Sequence, residues 1–133
     1  MNPGLGPPTE TFTFEGLACW QEARRLRVLV AGKIVRQLPL QERQRLGDQL
    51  LRAARSTTAN IAEGYGRYHY RDNCRFCAQA RGSCFEVLDH LITAVDEHLL
   101  AEEYLAEGRR AVISTARILN GYMAYLKRQA RDD

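Results

Sequence analysis

No apolar run in the chain approaches the ~20 residues that a membrane-spanning helix needs, and Met1 to Thr13 lacks the basic-then-apolar order of a secretion signal. The expected location is cytoplasmic, with no membrane contact. Of four prolines only Pro39 lies beyond the first eight residues, so helix-breaking positions are few in the body of the chain. No segment alternates apolar and polar residues in the manner of a half-buried strand, and no repeat or low-complexity block is present. Lysine is scarce as well. Seventeen of the nineteen cations are arginine, whose planar fork suits carboxylate and phosphate equally well. From Gly82 to Glu107 there is no Lys or Arg at all.

The chain does contain enough apolar residues, 45% of 133, for one compact domain over residues 14–133. Residues 1–13, dense in proline and glycine at their start, are expected to be a disordered tail. The net charge of +3 hides a segregation along the chain. Arg24 to Arg81 carries thirteen cations against four acids, Gly82 to Glu107 carries seven acids, and Gly108 to Arg131 carries six unopposed cations.

Apolar spacing of three and four predicts four helices. The first runs from about Leu17 to Gln37, with Trp20, Ala23, Arg27, Val30 and Ile34 on one face. Gly32 costs about 1 kcal/mol of helix propensity relative to alanine, which suggests close packing there. Pro39 ends this helix and opens the next, which spans Leu40 to Glu63 with Leu46, Leu50, Ala53, Thr57 and Ile61 inward. A turn over Gly64 to His69 follows, where the two glycines allow positive φ at little cost. The third helix runs from about Tyr70 to His98, with Phe76, Ala80, Ser83, Val87, Leu91 and Ala94 in line and Phe85, Leu88, Ile92 and Val95 beside them. The fourth starts at Ala101 and buries Leu105, Val112, Thr115, Leu119, Tyr122 and Leu126. Short connections make an all-α, antiparallel up-down-up-down four-helix bundle the expected fold.

That topology gathers charge. It brings Arg67, Arg71 and Arg75 of the turn to the end that holds Lys127, Arg128 and Arg131, with Tyr65, Tyr68, His69 and Tyr70 among them. Arginine neutralises phosphate and tyrosine stacks on unpaired bases, so Arg67, Tyr68, Tyr70, Arg71, Arg75, Lys127 and Arg128 form a candidate RNA-binding pole. The alternative is ordinary helix-end electrostatics with aromatics covering the core. A second candidate is a polar stripe, Arg52, Ser56, Asn60 and Glu63, facing Glu86, Ser83, Gln79 and Arg75 in reverse order on the next helix. Buried in a homo-oligomer, such a seam would set register. The alternative reading makes these independent solvated side chains, or makes the arginines intersubunit ion-pairing groups of a protein scaffold.

Catalysis has little material. Cys74, Cys77 and Cys84 share a helix face, a poor geometry for a tetrahedral metal shell, and are expected to be reduced core thiols together with Cys19. His90 and His98 lack an accompanying ligand pattern. Glu63 and Glu86 lie near arginines that keep carboxylates ionised rather than poised for proton transfer. Gly64-Tyr-Gly66 follows a helix, whereas a phosphate-cradling loop follows a strand. Trp20 reads as a core or interface plug and Tyr104 and Tyr125 as core-edge residues. No enzyme activity, cofactor or metal is expected.

One stretch carries a family resemblance: Arg52-Ala-Ala-Arg-Ser56, then Asn60-Ile-Ala-Glu-Gly64 and Gly66-Arg67, followed by Arg75-Phe76, Ala80, Gly82-Ser83 and Glu86. With Phe14-Glu-Gly-Leu17, Trp20 and Leu38-Pro39 upstream, the chain resembles the 23S rRNA-intervening sequence proteins over roughly Phe14 to Lys127. That family is similar in turn to the accessory protein of diversity-generating retroelements. The resemblance implies a four-helix bundle assembled as a homopentamer, and a partner that is RNA or a reverse transcriptase.

Overall fold

The computed structural model describes residues 13–132. The expected tail over residues 1–13 therefore lies outside the described residues, apart from Thr13. The Thr13 hydroxyl accepts from the Glu15 N–H and caps a short 3-10 turn, Phe14–Gly16. The first helix, α1 (Ala18–Leu29), continues through a π-helical turn, Val30–Ile34, and a 3-10 turn, Val35–Gln37. After Pro39 come a single turn, α2 (Leu40–Arg43), and three long helices, α3 (Leu46–Tyr65), α4 (Tyr70–Asp96) and α5 (Glu102–Gln129). The described residues include no strand.

Helix direction follows from which side chains meet. On α3 and α4, Ser56 meets Ser83, while Gly64, further along α3, meets Asn73, earlier on α4. On α4 and α5, Asn73 bonds Tyr122 and Gly108 lies against Leu91. Between the first helical segment, α1 with the two turns that continue it, and α5, Glu22 meets Ser114 and Lys33 meets Glu107; the same segment meets α3 through Arg27 with Thr58 and Val35 with Gly47. Rising numbers on one helix meet falling numbers on its neighbour in every case. The four helices therefore close into the antiparallel up-down-up-down square, α1 beside α3 and α5, and α4 beside the same two.

The core is a continuous column. Leu17, Ala23, Leu26, Val30 and Ile34 meet Leu50, Ala54 and Ile61, then Cys77, Ala80, Cys84, Val87 and Leu91, then Val112, Leu119 and Leu126, all fully buried. Truncating one of these leucines to alanine costs about 2–5 kcal/mol.

Four details depart from the pattern of spacing. The helix expected over Leu40 to Glu63 breaks at Gln44 and Arg45, where the Arg43 guanidinium turns back to donate to the Leu38 and Arg36 carbonyls and so closes the end of the α1 segment. On α4 the inward line starts one position later than expected: Cys77 and Cys84 are buried, whereas Phe76 and Ser83 are half-buried at the α3 boundary. Gly32 is exposed with open space about its Cβ position, so within one chain it does no close packing. Neither Gly64 nor Gly66 has positive φ. Gly64 is instead a contact point: an added Cβ would lie 2.8 Å from Asn73 Oδ1 and 2.9 Å from the Asn73 carbonyl oxygen. The glycine lets the end of α3 touch α4, which pins the turn that follows.

Candidate nucleic-acid interface

The turn between α3 and α4 protrudes from a firmly held base. Asn73, buried in the first turns of α4, donates from Nδ2 to the Tyr122 hydroxyl at 3.1 Å and accepts on Oδ1 from the Cys77 thiol. Tyr122 in turn stacks on Tyr125, ring centroids 6.3 Å apart. The last turns of α5 are thereby attached to the beginning of α4. Burial first, and the nearby Tyr70 second, push the Tyr125 phenol above its ordinary pKa.

On this base sits a groove of about 330 Å³ lined by Tyr65, Arg67, Tyr68, His69, Tyr70, Asn73 and Tyr125. Tyr125 also lines a second groove of about 280 Å³, whose rim includes Arg128. The one tyrosine thus links the turn to the cationic end of α5. Arg67, Arg71, Arg75, Lys127 and Arg128 are all exposed.

Two of these cations are held in place. Arg67 lies over the Phe76 ring at 4.7 Å and 3.4 Å from Glu63; Arg75 lies over the same ring at 5.6 Å and 3.2 Å from Asp72. Both ion pairs join neighbouring turns at the surface, where such pairs contribute a few tenths of a kcal/mol. They orient the guanidinium groups without quenching them. Arg71, Lys127 and Arg128 make no ion pair with a described acid. The backbone adds to the positive end, because His69 opens the long helix α4 with no side-chain cap.

A model of the 23S rRNA-intervening sequence protein family matches residues 15–121. The chain belongs to that family. No curated protein matches it. The family match ends at Gly121, so Tyr122, Tyr125, Lys127 and Arg128 lie beyond the matched stretch.

The polar stripe is brought together only at its middle. Ser56 Oγ and Ser83 Oγ share a hydrogen bond of 2.8 Å, and Asn60 Nδ2 donates to the Ser56 carbonyl and hydroxyl at 2.9 Å each. The ion pairs expected at its ends do not form across the helices. Glu63 and Arg75 take the local partners Arg67 and Asp72, and Glu86 lies 3.4 Å from His90 on its own helix. Partners one turn away need less side-chain ordering than partners on another helix, so the local pairs win. Arg52, Glu63 and Glu86 are exposed in the single chain.

The thiols are chemically quiet. Burial pushes Cys19 and Cys84 up to about 12 and raises Cys77 further in the same direction. Protonated at neutral pH, they are poor nucleophiles and poor metal ligands. Among the described residues no three His, Cys, Asp or Glu side chains converge as a metal site, and no helix is long and apolar enough to cross a membrane.

Sequence reading missed Asn73, which spacing marks only as one more polar residue in a first turn. It also missed an open concavity of about 730 Å³ along α1, lined by Glu15, Trp20, Gln21, Arg24, Arg25, Val28 and Leu29. Size does not mark a polyanion site. This larger concavity mixes apolar side chains with charges of both signs, as a protein-facing surface does.

Proposed function

We propose that this protein is a non-enzymatic interaction module of the cytoplasm, working as a homo-oligomer and contacting RNA through the basic, tyrosine-bearing end of its bundle. The observation that supports the reading is Tyr125, which lines both the groove that holds Arg67, Tyr68 and Tyr70 and the groove that holds Arg128. Charge of one sign, arginine rather than lysine, and tyrosine at the same place are what a phosphate-and-base ligand requires. Affinity from such a pole is dominated by counterion release and is not specific for base sequence, since no base-reading motif accompanies it. By family resemblance the partner is RNA or the reverse transcriptase that handles it.

The test is an RNA titration at several salt concentrations. Replacing Arg67, Arg71 and Arg75 together by glutamine is expected to weaken retention by about tenfold or more and to reduce the slope of log affinity against log salt by about 2. An unchanged slope would show that these arginines do not meet phosphate. Exposed side chains mean the triple variant keeps the parent's helical circular dichroism.

A second reading has its own supporting observation. Val28 is 55% exposed at the rim of the α1 concavity, and the Ser56, Ser83 and Asn60 cluster lies half-buried at the bundle surface, so both fit a homomeric scaffold. In that reading Asn60→Ala changes the assembly mass measured in solution relative to the 15.1 kDa chain. A parental mass in the variant counts against a seam between subunits.

A further inference from the structure

Two features of the α3–α4 turn go beyond what phosphate binding alone requires. Tyr68 is 95% exposed, a position at which a large ring gains nothing from burial. Among the described residues its ring meets His69 in a T-shaped contact, with centroids 5.1 Å apart and planes at 80°, and its exposure leaves a face of the phenol ring open. The groove beside it has walls from Tyr65, Tyr70 and Tyr125, and at about 330 Å³ it is at the small end of ligand sites, wide enough for a single ring system. The polar groups of Asn73 at its base are committed to Tyr122 and Cys77. What the groove offers a ligand is aromatic rings together with the polar atoms of His69, Arg67 and the tyrosines.

We propose that this groove takes unpaired nucleotides, Tyr68 stacking on one base while Arg67 and Arg71 hold the flanking phosphates. The proposal rests on the nucleic-acid reading above and narrows it to single strands. A base in a duplex offers its faces to its neighbours in the stack, and double-stranded RNA is recognised across an extended backbone surface. A stacking platform bears on a base that is free, and it tolerates any base because each has a π face.

Two fluorescein-labelled RNAs of equal length, an unstructured single strand and a blunt duplex, are titrated by anisotropy at one salt concentration against the full chain. The single strand is expected to bind about tenfold more tightly. Tyr68→Ala should lose about tenfold of that affinity, leave the duplex within about twofold, and keep the salt slope, whereas Tyr68→Phe should bind as the parent does. Equal affinity for the two RNAs, or a Tyr68→Ala variant that binds the single strand as the parent does, overturns the stacking proposal. If the Arg67, Arg71 and Arg75 glutamine variant still loses binding in that case, the polyanion reading stands alone. No binding of either RNA by the parent removes both.

Discussion

The chain reverses at the α3–α4 turn and again at the α4–α5 turn, at opposite ends of the bundle, and the two reversals are built on opposite principles. The first contains Gly64 and Gly66, yet neither has positive φ. The second contains no glycine, yet His98 sits at φ 61°. There the Leu99 N–H reaches the Ala94 carbonyl at 2.8 Å and the His98 N–H reaches Val95 at 3.0 Å, a Schellman arrangement with histidine where glycine is usual. The turn at one end uses its glycine for contact between helices; the turn at the other end, where charges of both signs meet, accepts an unfavourable dihedral angle to close in a few residues. The lesson is that a glycine after a helix has two uses, and only the distance to the neighbouring helix separates them.

Substitutions at the two turns sharpen this contrast. Gly64→Ala has the largest expected effect, a loss of about 3 kcal/mol in chemical denaturation, because its Cβ meets a backbone oxygen and the Cβ of Phe76, which no rotamer change relieves. A Gly64→Ala protein as stable as the parent would mean that α3 and α4 are further apart than described. His98→Gly acts in the other direction and is expected to stabilise by about 1 kcal/mol, since it removes the cost of a left-handed non-glycine residue. A fall in stability would contradict that backbone conformation. Smallest is Gly66→Ala, with φ −76° and space for the methyl group; it should gain about 0.5 kcal/mol by restricting the unfolded chain. If Gly66→Ala proves as costly as Gly64→Ala, the distinction between the two glycines collapses.

Most of the architecture was legible from spacing. The positions of Val30 and Ile34, Leu50 and Ile61, Val87 and Leu91, and Leu119 and Leu126 define four inward stripes, and Pro39 with the glycine turn marks where they are interrupted. That residues near 70 and near 127 share an end was legible too, because antiparallel packing alone decides it. What spacing does not hold is distance between helices. The one-position shift on α4 from Phe76 to Cys77 goes with the close approach of Gly64 to Asn73 and Phe76, and the break at Gln44 and Arg45 goes with Arg43 turning back on the end of the α1 segment. Asn73 was invisible for the same reason: its partner Tyr122 is 49 residues away. In the polar stripe Ser56 meets Ser83, whereas at one end Glu63 and Arg75 pair with Arg67 and Asp72, each about one turn away, rather than with each other.

The Phe76 ring between Arg67 and Arg75 has an effect on behaviour in brine. Ionic strength weakens exposed carboxylate contacts, with a screening length of about 3 Å at 1 M, but it does little to a guanidinium resting on hydrocarbon. Concentrated salt should strip a polyanion from this surface while leaving its two prongs at the same spacing and angle. After such a wash the two guanidinium groups keep the arrangement they had before it.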